Sequence, residues 1–169
     1  MLKIGAPGQL RWLPSMSKQE QKYHLSLAGE FFVAAELQRR GISAAVTYGN
    51  AKCADVVAFS VSGEKAVVIE VKSTSRSQWV VGGLTPDPSP KPWVFVYLPI
   101  DQSEAASYYV VLQSELHDIL APLDREYNRK FKEKHGVEYG DRPGVVNFTR
   151  AQAEPFKNAW ERIIGQLLA

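Results

Sequence analysis

Residues 54–72 read ADVVAFSVSGEKAVVIEVK, and the arrangement of this stretch decides the fold. It divides into two runs of strand-forming residues, 54–61 and 66–72, joined by Ser62-Gly63-Glu64-Lys65, the pattern of a β-hairpin. Successive strand side chains point to opposite faces, so Ala66, Val68, Glu70 and Lys72 share one face of the second run and Val67, Ile69 and Val71 the other. Both faces are apolar until the run nears its end, which predicts a central strand covered on each side. Pairing across the turn sets Val61 opposite Ala66, Phe59 opposite Val68, Val57 opposite Glu70 and Asp55 opposite Lys72. Asp55 and Glu70 then lie diagonally on one face, within about 5–8 Å of each other. A slip of two residues would set them directly opposite and keep the face, whereas a slip of one would bury the wrong side chains.

Working outward, the apolar residues between Tyr23 and Arg40 run almost all the way round a helix that Gly41 ends, so this helix is expected to be buried. Further strands are expected at 42–48, 93–98 and 108–112. The period then turns helical. Leu116, Ile119, Leu120, Leu123, Tyr127 and Phe131 form one stripe, which Pro122 is expected to break in two. Phe156, Ala159, Trp160, Ile163, Ile164, Leu167 and Leu168 form a second, a closing helix starting near Pro155. The expected class is α/β: a mixed β-sheet of about five strands with an N-terminal buried helix and C-terminal helices. Three segments rich in Gly and Pro, 1–15, 82–92 and 136–144, punctuate the pattern, and the expected division is an N-terminal arm over 1–20 and a single domain over 21–169.

A chain of 169 residues is one domain, burying roughly 70% of the surface its unfolded form exposes. Cys53 is the only cysteine and the histidines are His24, His117 and His135, so neither an internal disulfide nor a Cys/His zinc site can be drawn. The longest apolar stretches fall far short of the ~18 residues of a membrane span, and no signal peptide is visible, so a soluble cytoplasmic protein is expected. With 20 basic against 18 acidic side chains, the chain is not a polycation, and nucleic-acid binding would need a local patch or a bound metal.

Glu30 is out of place: on a helical wheel its stripe is Ser26, Val33, Ala34 and Leu37, the side expected to meet the sheet. A buried carboxylate needs a partner, and three carboxylates converging near Lys72 suggest a bound cation. Oxygen ligands without His or Cys suit Mg²⁺ or Mn²⁺ better than zinc. Each residue also has a plainer reading: Lys72 as a solvated strand tip, Glu70 as its salt-bridge partner, Asp55 as a turn cap. The argument for a site rests on the whole set meeting at element ends.

Glu30 in GEFFVAAELQRRG, Asp55 in ADVVAF and Glu70-Val71-Lys72 in VVIEVKST together resemble the PD-(D/E)XK superfamily of restriction-endonuclease-like phosphodiesterases, over about residues 25–112. The resemblance implies a restriction-endonuclease-like core in which Asp55 and Glu70, with the main-chain carbonyl of Val71, hold Mg²⁺ or Mn²⁺. It further implies that Lys72 orients or activates the attacking water and that Glu30 completes the metal's surroundings. Such chemistry is sound, because a metal lowers the pKa of bound water and stabilises charge on phosphoryl oxygens. The family core usually has a helix between its third and fourth strands, whereas 82–92 (GGLTPDPSPKP) cannot be helical; either a short helix lies within 73–81 or it has been lost.

Ser73, Arg76 and the neighbouring hydroxyls are candidates to hold phosphate, with Trp79 stacking on a base. Arg125, Arg129, Lys130, Lys132 and Lys134 alternate with acids and read as a solvated helix face, and His117-Asp118 reads as surface. The leading function is a metal-dependent nuclease acting on nucleic acid, DNA before RNA, with no membrane partner and room for a homodimer. The alternative is a nuclease-like module that binds nucleic acid or a protein without turnover. P-loop, dinucleotide, H-E-x-x-H and G-x-S-x-G motifs are absent from the sequence.

Overall fold

The computed structural model describes residues 16–47, 54–140 and 145–169. The order is α1 (Lys18–Arg39), β1 (Ser43–Val46), β2 (Val56–Phe59), β3 (Ala66–Thr74), β4 (Gln78–Gly82), β5 (Pro92–Tyr97), β6 (Ser107–Leu112), α2 (Gln113–His135), β7 (Val146–Thr149), α3 (Arg150–Ala153), a 3-10 turn (Glu154–Phe156) and α4 (Glu161–Leu168). Five strands form one mixed sheet in the order β1-β2-β3-β5-β6, in which only the β3–β5 pair is parallel. The expected α/β class with a five-stranded mixed sheet and helices at both ends is present.

The hairpin register sits two residues from the simplest pairing. Phe59 faces Ala66 and Val56 faces Ile69, and continuing one residue brings Asp55 level with Glu70. Ser60 is the cause: its N–H donates to the Lys65 carbonyl at 2.9 Å and its hydroxyl accepts from the Lys65 N–H at 3.1 Å. The turn therefore starts at Ser60 and leaves Val61 96% exposed. Gly63 supplies the positive φ (74°) that closes it.

One face of the sheet carries Val56, Ala58, Val67, Ile69, Val71, Val94, Val96, Tyr108 and Val110. Val33, Ala34 and Leu37 of α1 cover it, together with Trp160, Ile163 and Leu167 at the C-terminus. The helix α1 is buried on that side only, correcting the all-round burial expected from its composition: Tyr23, Phe31 and Phe32 are exposed. Its start also shortens the arm. Ser17 caps it in a reciprocal box with Glu20, so residues 18–20 are helical, and residues 1–15 lie outside the described residues.

The opposite face is covered over half its width. Trp93, Phe95, Tyr109 and Val111 pack under Trp79, Val81, Phe148, Leu116 and Leu120 from β4, β7 and α2, whereas Val68 and Ala66 on β3 are exposed. The strand expected to be covered on each side is thus two-sided only from Glu70 onward. No helix occupies 73–81. That segment carries β4, which pairs antiparallel with β7, and Trp79 and Phe148 are level in the register.

Two further expectations are corrected. Pro122 does not divide α2, which continues from Gln113 to His135; the exposed ring forgoes one backbone hydrogen bond while its neighbours Leu120 and Ala121 stay buried. The closing stripe is not one helix. Thr149 and Gln152 cap a short α3, Pro155 sits in the 3-10 turn, and Asn158 takes φ 56° with its N–H donating to the Tyr108 carbonyl at 2.9 Å. The helix resumes at Glu161 with Ile163 and Leu167 inward.

Candidate active site

Asp55, Glu70 and Lys72 emerge on the half-open face of the sheet, where β2 begins and β3 passes under the edge of the second layer. Asp55 is anchored by its backbone: its N–H donates to the Ile69 carbonyl at 3.0 Å and its carbonyl accepts from the Thr47 N–H at 2.9 Å. Its Oδ2 accepts from the Val71 N–H at 2.7 Å. Burial raises the Asp55 pKa and the charge on Glu70 adds to the rise, against the lowering by the Val71 N–H, Lys72 and Lys91.

Glu70 is held from two sides. Its Oε1 accepts from Lys72 Nζ at 2.7 Å and its Oε2 from Lys91 Nζ at 2.8 Å, all three side chains being half-buried. Burial by itself would raise Glu70; the two ammonium groups outweigh it and hold the carboxyl below its ordinary value. Lys72 Nζ also lies 5.4 Å from the centroid of the Trp93 ring. That ring is fixed by its Nε1, which donates to Gln113 Oε1 at 3.0 Å.

Glu30 comes from the other layer. It is half-buried on the sheet-facing side of α1, and its pKa is pushed up to about 7, first by burial and then by the charge on Asp55, with Lys72 opposing and Glu70 adding to the rise. What brings α1 this close is Gly29: a Cβ built there would lie 1.7 Å from Ser73 Oγ and 3.7 Å from Val71 Cγ1. Only a glycine permits that approach of helix to strand.

Asp55, Glu70 and Lys72 therefore lie together on one face, Glu30 is coupled to them through charge, and one residue is added. The sequence pattern does not single out Lys91, which sits in the Gly/Pro segment before β5. The parallel register pairs Glu70 with Trp93, and strand alternation puts Lys91 on the face of Trp93. Its loop is well fixed: the Ser89, Pro90 and Lys91 carbonyls accept from Ser114 N–H, Gln166 Nε2 and Gln113 N–H. The visible signal was a lone lysine between Pro90 and Pro92, but using it required knowing that β5 runs parallel beside β3.

Of the expected substrate contacts, Arg76 is exposed beyond the end of β3, with its N–H on Thr74 Oγ1 at 3.2 Å. Ser73 and Trp79 are not at the surface of the site. The Ser73 hydroxyl is shut off under α1 without a partner, and Trp79 is 1% exposed with its Nε1 donating to the Val96 carbonyl at 2.9 Å. His117 is half-buried rather than superficial, its Nδ1 3.0 Å from the Pro86 carbonyl, while Asp118 is exposed. The basic stretch of α2 is a solvated face as expected: Arg129 pairs with Glu126 and Glu133, Lys130 with Glu126, and Lys132 with Glu138.

The donor chemistry suits a hard cation. Glu30 and Asp55 are carboxyls raised by burial and by the charge of neighbouring carboxylates, Asp55 and Glu70 acting on Glu30 and Glu70 on Asp55, a state that a nearby positive charge relieves. Glu70 spends both oxygens on lysines. Among the described residues, no three carboxylate, His or Cys side chains converge closely enough to hold a metal, so binding would require Glu70 to turn at least one oxygen from its lysines. No helix among the described residues is long and apolar enough to cross a membrane. Neither a scan of protein-family models nor a search of curated proteins returns a match to the chain, so the site's geometry is the ground on which its chemistry is argued.

Proposed function

We infer that this protein is a metal-dependent phosphodiesterase acting on nucleic acid, DNA before RNA, with a restriction-endonuclease-like core. The observation that supports it most is the juxtaposition of Asp55 with Glu70 and Lys72 on a half-open sheet face, with Glu30 electrostatically coupled from α1. Asp55 and Glu70, with the Val71 carbonyl, would hold Mg²⁺ or Mn²⁺, and Glu30 would take part directly or through water. A divalent cation bound there would lower the pKa of a water and offset charge on the phosphoryl oxygens.

The chain's own residues supply the rest. The Val71 N–H fixes Asp55 in one orientation. Lys72, braced by Glu70 and the Trp93 ring, presents N–H donors to a water or a phosphate oxygen. Lys91 adds a second ammonium group beside the same carboxylate, and Arg76 stands exposed beyond the strand end.

A second reading, a binding module of the same fold without turnover, is favoured by one observation: both Glu70 oxygens are occupied by lysines. One assay separates the two. Plasmid, linear duplex, branched and single-stranded DNA and RNA are incubated with the protein in Mg²⁺, Mn²⁺ or EDTA, with Glu70→Ala alongside. Cleavage that needs metal and is lost in Glu70→Ala is expected; binding without cleavage under every condition leaves the module.

A further inference from the structure

Arg76, a candidate to hold phosphate by its place just after Lys72, has a companion from more than seventy residues further along the chain. The register that pairs Gln78 with Thr149 brings the start of α3 against the β3–β4 turn, where the Arg150 N–H donates to the Ser77 carbonyl at 2.9 Å. The Arg150 guanidinium lies over the Tyr97 ring, its Cζ 3.9 Å from the centroid. Tyr97 is level with Thr74 in the parallel register, as Phe95 is with Lys72 and Trp93 with Glu70, so Arg150 stands on the sheet face that carries the candidate site. Arg76 follows Thr74 by two residues and is exposed, its N–H held on the Thr74 hydroxyl at 3.2 Å. Two arginines from separate segments thus flank the ends of one pair of strands.

Neither arginine has a counter-charge. Among the described residues, Arg39, Arg40, Arg129 and Arg162 each pair with a carboxylate, whereas Arg76, Arg125 and Arg150 pair with none. Segments 73–82 and 145–153, which build the corner, contain no acidic residue. Stacking on Tyr97 engages only the flat face of the Arg150 guanidinium and leaves the N–H groups round its rim to donate, the fork that matches two phosphate oxygens. The turn adds further donors: Ser75 and Ser77 flank Arg76, and neither hydroxyl makes a hydrogen bond among the described residues. We propose that Arg76 and Arg150, with the Ser75 and Ser77 hydroxyls, bind phosphate groups of a nucleic-acid backbone.

Phosphate has two sources, a strand or a free ion, and the surroundings favour the strand. Small ligands settle in concave sites that bury most of their surface, whereas Arg76, Ser77 and Gln78 are exposed and Ser75 and Arg150 half-buried. Arg76 follows Lys72 by four residues. At ~3.3 Å per residue that is at most about 13 Å of extended chain, which a duplex covers in about four nucleotides at ~3.4 Å each. A backbone seated at Lys72 therefore reaches the corner, and contacts of this kind fix where a strand lies without reading its bases. The link to a cut at Lys72 rests on the nuclease reading; the affinity for a phosphate backbone does not.

The experiment is run in EDTA so that nothing is cut. Fluorescence anisotropy follows a labelled DNA duplex over a series of NaCl concentrations for wild type, Arg76→Gln, Arg150→Gln, Arg150→Lys and Arg125→Gln. Arg76→Gln and Arg150→Gln are each expected to bind about ten-fold less tightly and to lower the slope of log affinity against log salt by about 1. Arg150→Lys should keep the slope, because it keeps the charge, and lose part of the affinity with the fork. Arg125→Gln removes the same charge from α2 and should change little. Arg76 is exposed, so its variant tests the site even if melting curves show that Arg150→Gln, which uncovers Tyr97, fails to fold. Losses no larger than that of Arg125→Gln, or a salt slope unmoved by the folded corner variants, overturn the site. Calorimetry with inorganic phosphate separates the sources: phosphate binding that the corner variants abolish while duplex affinity stays unchanged overturns the strand and assigns the corner to a free ion. Duplex binding that depends on both arginines, without cleavage in Mg²⁺, sinks only the nuclease reading; metal-dependent cleavage with duplex binding indifferent to both arginines sinks only this corner.

Discussion

Glu30 carries its cost in the folded state, where its pKa of about 7 stands above the ordinary 4.5. A carboxyl whose folded pKa is raised binds its proton more tightly when folded, so stability falls as pH climbs from about 4.5 to about 7 and the loss is complete above that. Glu30→Gln should therefore melt higher than wild type at pH 8 in EDTA, by a few degrees, roughly the shift expected for 1 kcal/mol in a chain of this size. The gap should close by pH 4, and equal midpoints at both pH values would show that the carboxyl is not desolvated as described. Asp55→Asn should share the sign at neutral pH, because burial and the charge on Glu70 also raise Asp55 and the amide oxygen still accepts from Val71 N–H. Mg²⁺ should raise the wild-type midpoint by mass action and do little for Asp55→Asn; a wild-type midpoint blind to Mg²⁺ would count against the metal. Lys72→Ala should abolish cleavage and leave Mg²⁺ affinity nearly intact by calorimetry, since its ammonium group neighbours the metal carboxylates without being a ligand. Collapse of metal affinity in that variant would reassign Lys72 to holding Glu70 in place.

At the scale of the element, the contact between α1 and β3 is where fold and site are joined. Gly29→Ala sets a methyl group 1.7 Å from Ser73 Oγ and 2.9 Å from Ser73 Cβ, so helix or strand must shift, at a cost of about 1–3 kcal/mol. Ser73→Ala alone should be neutral or slightly stabilising, since it deletes a buried hydroxyl without a partner, and should recover part of the loss in the double variant. Additive losses measured by denaturant unfolding would show that the two residues do not press on each other. This contact also marks the limit of what the sequence discloses. The wheel of α1 put Glu30 on the sheet side, and the period of two put Asp55, Glu70 and Lys72 on one face, because both rest on local geometry. The extra two residues in the hairpin turn came from hydrogen bonds of Ser60, which no hydrophobic pattern records. Lys91 was invisible for a different reason: its place beside Glu70 depends on a parallel pairing between strands separated by β4.

Across the whole molecule, the second layer is a joint product of distant segments. Trp79 from β4 and Phe148 from β7 close over Phe95 and Tyr109, with Phe95 and Phe148 ring centroids 4.7 Å apart. These strands escaped the sequence reading because each is short and takes its meaning from the other: QWVVG follows a serine-rich turn and VNFT precedes a capped helix. Phe148→Ala should destabilise by about 3–5 kcal/mol, as expected when a fully buried aromatic ring is removed from a packed core. Chemical denaturation with Trp fluorescence measures it, because Trp79 lies against the missing ring. A cost below about 1 kcal/mol would mean that the layer is held by α2 alone.

The pairing of β4 with β7 also imposes an order on synthesis. When β4 leaves the ribosome its partner is more than sixty residues away, so the apolar faces of Trp79, Phe95 and Tyr109 must wait, covered only by α2, for β7. The five-stranded sheet can assemble earlier, since its last strand ends at Leu112 and α1 already covers part of one side. A nascent chain halted before Val146 should thus be a half-finished sandwich, shielded by α1 over only part of one face, sticky on the other, and cut by proteases within 75–91. Emergence of β7 and the residues that follow it then closes both faces.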